Sequence, residues 1–290
     1  MKKKLNKIAR DTNLFLSQFL SNQQKTDLIK PIKYGLLPGG KKIRSKLIVD
    51  VGKIFNVKYQ NLIYLSAAVE CIHAYSLIHD DLPCMDNDSI RRGKPSTHIK
   101  FGESTAVLAG NSLLTMAYEI LSHKDLNVSE KTKINLINKI SQSSGHLGIA
   151  GGQYLDLSFE HKKISKKKII EMEIKKTGKL FSFCCAAPLI LKKRSKKEIK
   201  RFENIGADIG LLFQVADDLI DNKGSLLVAG KKTGKDKKKG KATLISLLGH
   251  KNTIKYAYKL IFKINSKLKK YGSNSKNLSE TLEYILNRNK

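Results

Sequence analysis

The spacing of apolar residues is the feature that most constrains how this chain folds. Along most of its 290 residues, apolar side chains recur at steps of three and four, which is typical of amphipathic α-helices. Runs of alternating β-branched residues are absent, and only five prolines interrupt the pattern. The sequence therefore predicts one all-α domain over 1–290, with long helical stretches at 61–81, 104–122, 129–150, 165–187, 196–221 and 242–270.

Three segments break this pattern and are predicted to be loops. They are 36–43, which contains Pro38 and two glycines, the polar 83–100, and 222–240, which is rich in Gly and Lys. In contrast, 65–78 is apolar on all sides, which indicates a helix inside a bundle. Glu70 and His73 are then polar groups in a mostly apolar setting.

The net charge raises the question of an anionic partner. The chain has 55 Lys+Arg against 25 Asp+Glu, a formal charge of +30, which suggests nucleic acid or an anionic membrane surface. However, only seven of the basic residues are Arg, the side chain best suited to bidentate contacts with bases and phosphates. Aromatic residues make up 7%, with no Trp. We therefore interpret most of the charge as solvated surface lysine and expect no nucleic-acid partner.

Cysteine usage and hydropathy bear on the compartment. The four cysteines have no metal-binding spacing and fit a reducing cytosol. The N-terminal stretch has helical spacing and is not a signal peptide. No run reaches the roughly 18 apolar residues that span a bilayer, and 181–191 is the longest apolar segment. The expectation is a cytoplasmic protein with no membrane span.

The scarce acidic residues are concentrated in two clusters. Each follows an apolar helical segment, and together they comprise Asp80, Asp81, Asp86, Asp88, Asp217, Asp218 and Asp221. Crowded carboxylates repel one another unless cations bind between them, and oxygen ligands without His or Cys favour Mg²⁺. Because Mg²⁺ completes its coordination with water and substrate phosphates, the substrate is expected to carry phosphate. Either cluster alone is also compatible with a solvated acidic helix end.

The spacing within each cluster predicts how its carboxylates meet. Asp217 and Asp221 are four residues apart and share a helix face. Asp80 and Asp86 are six apart and would not share a face on a straight helix. Pro83 is therefore expected to end or bend the helix and let Asp86 turn back.

Two basic segments accompany the acidic clusters. GGKKIR places Lys41 and Arg44 at a helix start, where backbone N–H groups also favour anions. RRGK contains Arg91 and Arg92, two of the seven arginines, which favours bidentate phosphate contacts over a plain basic loop. His73 lies about 10 Å along the helix before Asp80 and on the same side, either as part of a second phosphate site or as a core histidine.

Taken in order, these motifs resemble the trans-type polyprenyl diphosphate synthases, most closely the bacterial farnesyl diphosphate synthases. The resemblance is carried by GGKKIR, AAVECIHAYSLIHDDLPCMDNDSIRRGKPSTH, GGQYLDL, KTGKLF, FQVADDLID and GKKTGKD…GKAT. It implies the all-α isoprenoid synthase fold, a single-domain helical bundle of about ten or more helices around a central cavity, usually as a homodimer.

The resemblance also implies a role for each site residue. Two or three Mg²⁺ ions would be bound by Asp80, Asp86 and Asp217, supported by Asp81 and Asp221. The allylic diphosphate would be bound by Arg91, Lys176, Lys231 and Lys241. Isopentenyl diphosphate would be bound by Lys41, Arg44, His73 and Arg92. The allylic carbons would be faced by Thr177 and Gln214.

The activity that follows is a head-to-tail condensation through an allylic carbocation. Isopentenyl diphosphate would react with dimethylallyl or geranyl diphosphate to give (2E,6E)-farnesyl diphosphate and pyrophosphate. A geranylgeranyl diphosphate synthase and a class I terpene cyclase are alternatives, although a cyclase needs only one diphosphate site. A nucleic-acid-binding protein, favoured by charge alone, and a non-catalytic partner subunit are the alternatives outside this chemistry.

Product length is expected to depend on the depth of the cavity below Asp80. Ser76, four residues earlier on the same face, is small, whereas Tyr75 is bulky and is predicted to form the floor unless it is an ordinary core residue. Two departures from the family pattern remain. Ser45 replaces a common Pro. Lys223-Gly224-Ser225 stands where the family often has a Gly-Asp, within the loop 222–240 that is expected to close over the cavity.

Overall fold

Helices account for nearly all of the regular structure in this computed structural model, which describes residues 1–37, 39–227 and 243–288. The helices are α1 (Lys2–Ser21), α2 (Ile29–Leu36), α3 (Ile43–Ile54), α4 (Tyr59–Asp80), α5 (Thr97–Phe101), α6 (Glu103–Ser122), α7 (Glu130–Ser144), α8 (Ile149–Ser158), α9 (Lys166–Glu173), a π-helix (Ile174–Gly178), α10 (Lys179–Leu191), α11 (Lys196–Leu227), α12 (Leu244–Leu248), α13 (His250–Leu268), a 3₁₀-helix (Lys269–Ser275) and α14 (Lys276–Asn287). The all-α prediction is confirmed.

The structure corrects several predicted boundaries. The stretch 129–150 is two helices, because the chain packs back on itself at Gly148, where a Cβ would lie 1.9 Å from the Ser143 carbonyl oxygen. The stretch 165–187 is divided by the π-helix, and α10 continues through Pro188. Helix α11 extends to Leu227, so the predicted loop 222–240 begins as helix.

The predicted loop 83–100 also contains regular structure. A short antiparallel hairpin pairs β1 (Ile90–Arg91) with β2 (Lys94–Pro95), and α5 begins two residues later. The positive φ angles of Arg92 and Gly93, 53° and 76°, form its tight turn. Hairpins this short carry too little alternation to be predicted from sequence.

The described residues form two compact units. The first comprises Met1–Asn138 and Ile190–Lys193, and the second comprises Lys139–Leu189 and Arg194–Lys290. The single domain expected over 1–290 therefore stays a prediction.

In the first unit, α4 packs against α3 and α6. Its central residues are buried on all sides, from Leu65 to Ile72, which confirms that 65–78 is an interior helix. Contrary to the sequence expectation, α4 is long and apolar enough to meet the criteria for a membrane span, with 78% of that stretch buried within the protein. Such burial is typical of a core helix.

Two ion pairs lie inside the first unit. Lys46 and Asp50, four residues apart on α3, are almost fully buried and in direct contact. Burial lowers the pKa of Lys46, although Asp50 opposes that effect. Lys42 Nζ lies 3.2 Å from Glu70 Oε2, with side chains only 2% and 3% exposed. These charges are paired because an isolated charge would be very costly in such a setting.

In the second unit, α11 packs against α13, α14 and the π-helix. Close approach depends on glycine at several positions of this core, two of which lie beside the π-helix. A Cβ at Gly210 would lie 2.5 Å from Gly178 Cα, and one at Gly152 would lie 2.1 Å from the Lys176 nitrogen. Helices α8 and α11 therefore both contact the π-helix directly.

Candidate active site

The GGKKIR segment forms a tight turn before α3. Gly39 and Gly40 have φ angles of 70° and 86°, a conformation that favours glycine. The Arg92 side chain lies on this turn, because a Cβ at Gly40 would come within 2.9 Å of Arg92 Cζ. Arg92 also donates a hydrogen bond to the Gly39 carbonyl at 3.3 Å. Two sequence-distant basic segments thus meet at one place.

His73 joins this basic group. Its Nε2 lies 3.3 Å from Arg44 Nη1 and 3.4 Å from Arg92 Nη2. Burial, followed by the neighbouring Arg44 and Arg92, holds the pKa of His73 well below its usual value. A neutral imidazole can accept a hydrogen bond from a guanidinium. The structure therefore brings together three of the four residues predicted to bind isopentenyl diphosphate, and Lys41 is half-buried in the adjoining turn.

A buried network holds the start of α3 beside His73. Glu70 accepts a hydrogen bond from Ser45 Oγ at 2.9 Å and pairs with Lys42. Burial alone would raise the pKa of Glu70, but Lys42 and Arg44 together lower it. Ser45, the departure from the family's proline, thus has a defined partner. Sequence reasoning missed Lys42, although an acidic residue in the apolar segment 65–78 was a signal for a buried cation.

The first acidic cluster turns back at the end of α4. The helix ends at Asp80, and the Asp86 backbone N–H donates to the Asp80 carbonyl at 2.8 Å. A second hydrogen bond, from the Asp88 N–H to the Asp81 carbonyl at 3.2 Å, holds the next part of the chain against the same helix end. The prediction that Asp86 turns back towards Asp80 is confirmed.

Asp81 and Arg91 form a bidentate pair. Arg91 Nε lies 2.9 Å and 3.2 Å from the two Asp81 carboxylate oxygens, and Arg91 Nη2 also contacts Oδ1. Asp88 approaches the same guanidinium at 3.6 Å. Burial raises the pKa of Asp81 despite this partner. Asp81, Arg91 and Arg92 line one cavity of the first unit, so both guanidinium groups border the same space.

Tyr75 and Ser76 lie on α4 before Asp80. The Tyr75 ring is half-buried and makes an edge-to-face contact with His79, with centroids 5.0 Å apart. His79 in turn approaches the Val107 carbonyl of α6 at 3.1 Å. Ser76 is buried and donates to the His73 carbonyl at 3.0 Å. Whether Tyr75 sets product length stays a prediction.

In the second unit, the π-helix places Lys176 and Thr177 side by side. π-Helical turns inside α-helices are frequent at functional sites. Lys176 Nζ lies 2.6 Å from Asp156 Oδ2, and Asp156 is buried. Sequence reasoning missed Asp156, although GGQYLDL contains it. This carboxylate fixes the direction of the Lys176 ammonium.

Thr177 and Gln214 meet as well. Thr177 Oγ1 donates to Gln214 Oε1 at 3.3 Å, and Gln214 Nε2 donates to Asp218 Oδ1 at 3.3 Å. These hydrogen bonds hold the Thr177 hydroxyl oxygen and the Gln214 amide oxygen next to each other. Gln153, one turn before Asp156, is buried with both amide atoms lacking a hydrogen-bond partner among the described residues, a condition that a ligand or water would relieve.

Asp217 has an arginine partner near the end of the chain. Arg288 Nη2 contacts Asp217 Oδ1 and donates to the Phe213 carbonyl at 3.2 Å. Its guanidinium also stacks on the Phe213 ring, 3.8 Å from the centroid. Sequence reasoning missed Arg288, and the scarcity of arginine was the one available signal. Asp221 lies one turn further along α11 and is half-buried.

The oxygen donors fit Mg²⁺ by their chemistry. The turn after α4 places Asp80 and Asp86 at the same helix end. The Asp217 carboxylate contacts the guanidinium of Arg288. Within the described parts of the chain, no group of three or more His, Cys, Asp or Glu side chains is arranged to hold a metal. Mg²⁺ usually takes only one or two protein carboxylates and completes its coordination from water and phosphate.

Some predicted features lie outside the described residues. These are Lys231 and Lys241, Pro38, and most of the loop 222–240.

Comparison with known proteins identifies the family. The family model described as Polyprenyl synthetase matches residues 25–285. The chain belongs to the polyprenyl synthetase family. Its resemblance to that family, drawn from the motifs, is therefore confirmed.

Similar polyprenyl synthetases extend over almost the whole chain. The farnesyl diphosphate synthase of Escherichia coli is 39% identical, covering 97% of both proteins. The geranylgeranyl pyrophosphate synthase 4 of Arabidopsis thaliana is 35% identical, covering 97% of this chain and 76% of that protein. The crystal structure of an FPP/GFPP synthase from Zymomonas mobilis has a TM-score of 0.88 at 35% identity, with 98% of each chain covered.

Proposed function

We propose that this chain is a prenyltransferase that condenses isopentenyl diphosphate head to tail with dimethylallyl or geranyl diphosphate. The products would be (2E,6E)-farnesyl diphosphate and pyrophosphate. The observation that carries this proposal is the 39% identity to a farnesyl diphosphate synthase over 97% of both proteins. The local contacts among the motif residues support it, namely those of Arg44 and Arg92 with His73 and that of Thr177 with Gln214.

The basic group around His73 would bind isopentenyl diphosphate. Arg44 and Arg92 both approach the neutral His73 ring, so their positive charges are not neutralised by it. Guanidinium groups bind phosphate oxygens with paired N–H donors. The Gly39–Gly40 turn fixes Arg92 from the other side, and Lys41 adds a further cation at the helix start.

The allylic diphosphate would be bound by Arg91, Lys176, Lys231 and Lys241. Mg²⁺ would be held by Asp80, Asp86 and Asp217, with Asp81 and Asp221 in support. When bound, Mg²⁺ neutralises the negative charge that gathers on the leaving pyrophosphate. Asp156 holds the Lys176 ammonium in one direction, so less ordering is required when the diphosphate arrives.

The reaction needs no enzyme nucleophile. The allylic C–O bond ionises, and its electron pair leaves with pyrophosphate. The alkene of isopentenyl diphosphate then forms a C–C bond to the allylic cation. The released pyrophosphate takes a proton from the new cation, and the electrons of that C–H bond restore a double bond. Thr177 and Gln214 present oxygen atoms that would stabilise the positive charge as it develops.

A single incubation tests this function. Purified protein, Mg²⁺, isopentenyl diphosphate and geranyl diphosphate are expected to yield farnesyl diphosphate, identified by mass spectrometry after dephosphorylation. Absence of any condensation product would overturn the proposal. A C20 product would support the geranylgeranyl alternative, which the Arabidopsis relative favours, and cyclic hydrocarbons would indicate a terpene cyclase.

Replacing Tyr75 by alanine is expected to lengthen the product. Removing the ring empties the space beside His79, so a longer prenyl chain can extend along α4. We expect the main product to shift from C15 towards C20, measured by chromatography of the prenyl alcohols. Tyr59→Ala, at the start of the same helix and partly exposed, is the control and should leave the product unchanged. An unaltered Tyr75→Ala spectrum would assign Tyr75 to the core.

Replacing Asp156 by asparagine is expected to lower kcat/KM for the allylic substrate by about 10- to 100-fold. A hydrogen bond to a charged group contributes about 1.5–3 kcal/mol, and its loss frees Lys176 to adopt other directions. Steady-state kinetics with varied geranyl diphosphate measure the effect. Glu171→Gln, which removes the exposed pair with Lys175, should change kcat/KM less than twofold. Equal effects of both variants would contradict a positioning role for Asp156.

We also propose that both units belong to one polyprenyl synthase domain over 1–290, acting as a cytoplasmic homodimer. The family match spans residues of both units, which supports a single domain. The four cysteines, all of which are described, are free, which fits the reducing cytoplasm. Val107 and Leu108 of α6 are exposed apolar residues that a second copy could cover. A single calorimetric transition and a dimer mass in sedimentation equilibrium are the expected results.

A further inference from the structure

Helix α13 presents aromatic and lysine side chains together on its exposed side. Phe262 is 77% exposed, and Tyr258, one turn earlier, is 54% exposed. Lys255 and Lys259 are exposed as well, and the four side chains line one open concavity of the surface. We refer to Lys255, Tyr258, Lys259 and Phe262 as the α13 patch.

The two rings of the α13 patch are not needed for packing. The opposite face of α13 supplies the buried contacts, through Ala257, Leu260, Ile261 and Ile264. A single exposed apolar residue is ordinary. Two large rings four residues apart form a continuous apolar surface on a helix, and such surfaces mark sites of interaction.

The charge around these rings has one sign. Lysines recur at every fourth position of α13, from Lys251 to Lys267, and 250–268 contains no acidic residue. Asp208 forms ion pairs with both Lys263 and Lys267, each at 2.7 Å. Within the described residues, neither Lys255 nor Lys259 has an ion-pair partner. The two lysines that line the concavity with the rings therefore keep their positive charge available for an anionic partner.

We propose that the α13 patch binds the surface of an anionic lipid bilayer. Aromatic side chains that enter the headgroup region, flanked by lysines that bind lipid phosphates, characterise helices lying on membranes. A second copy is disfavoured as occupant, because two such patches would bring like charges together. Nucleic acid is disfavoured because 250–268 contains no arginine. The partner is identified by its negative charge and its apolar interior, and the surface is independent of the proposed prenyl transfer.

A tryptophan probe tests this proposal directly, because the chain contains no Trp. In Phe262→Trp, vesicles of phosphatidylglycerol and phosphatidylcholine are expected to shift the emission to shorter wavelength and protect it from iodide. Ile134→Trp, at a site 64% exposed on α7, is the matched control and should show neither change. Both variants should keep the thermal unfolding midpoint of the parent chain.

The lysines are tested by vesicle sedimentation of Lys255→Gln/Lys259→Gln. Each lysine near an anionic surface contributes about 1 kcal/mol, so the double variant should bind about 30-fold more weakly. Lys131→Gln/Lys124→Gln is the charge-matched control and should bind as the parent does. High salt should release the parent chain from the vesicles.

Several results would overturn the proposal. These are no emission shift for Phe262→Trp, an equal shift with pure phosphatidylcholine, or an equal shift for Ile134→Trp. A shift that depends on protein concentration without vesicles would assign the patch to a second copy. A larger shift with a single-stranded oligonucleotide than with vesicles would assign it to nucleic acid.

Discussion

Replacing Asp217 by alanine is expected to lower kcat/KM by at least about a thousandfold. In the proposed function, this carboxylate binds the Mg²⁺ that neutralises the leaving pyrophosphate, an effect of several kcal/mol, and each 1.36 kcal/mol is a tenfold change in rate. The substitution also leaves the Arg288 guanidinium without the carboxylate it contacts. Steady-state kinetics at saturating Mg²⁺ measure the loss.

Asp221→Ala is the matched control for this experiment. It removes an identical carboxylate one turn away on the same helix face, at a position assigned a supporting role. Its effect should be at least tenfold smaller, which corresponds to about 1.4 kcal/mol. Titration calorimetry of Mg²⁺ with pyrophosphate present should show weaker binding for Asp217→Ala than for Asp221→Ala. Equal binding by the two variants would contradict the assignment of Asp217 as the metal ligand.

Replacing Lys42 by methionine is expected to lower the free energy of unfolding by about 3–5 kcal/mol. Glu70 would remain inside the first unit without its closest cation, and an uncompensated buried charge has a cost of that size. Chemical denaturation monitored by circular dichroism measures the change. Lys53→Met, on the exposed side of α3, is the control and should change stability by less than about 0.5 kcal/mol.

Two further measurements separate the charge from the packing. Lys42→Met/Glu70→Leu should recover much of the lost stability, because an apolar pair can replace a buried ion pair. Since the pKa of Glu70 is lowered in the folded chain, its contribution is present above the unfolded pKa and is lost as the pH falls through the folded value. The stability difference between the parent and Glu70→Gln should therefore shrink in acid. A difference independent of pH would contradict the ion pair.

Local pattern was sufficient for most of the fold and for parts of the site. Three- and four-residue spacing predicted the helices because one face of each meets the core, and Pro83 predicted the return of Asp86. The π-helix, the short hairpin and the break at Gly148 were missed. The hairpin is too short to show alternation, and the spacing of apolar residues does not report the close backbone approaches at Gly148 and beside the π-helix.

The site residues that were missed share one property. The missed residues Asp156, Lys42 and Arg288 contact Lys176, Glu70 and Asp217, across separations of 20, 28 and 71 residues. A charged residue has the same appearance in the sequence whether it is solvated or paired, because pairing depends on which helices pack together. Only burial distinguishes the two states.

The sequence by itself determined the all-α class, the family and the two acidic clusters, because these depend on residue types at short spacing. Only the tertiary structure decided which charges are buried and which cations lie beside Asp81, Asp156 and Asp217. It brought Arg44, His73 and Arg92 together beside the Gly39–Gly40 turn. It also brought Thr177 into contact with Gln214. These contacts arise from packing between distant helices, where the cost of burying an unpaired charge selects the partner.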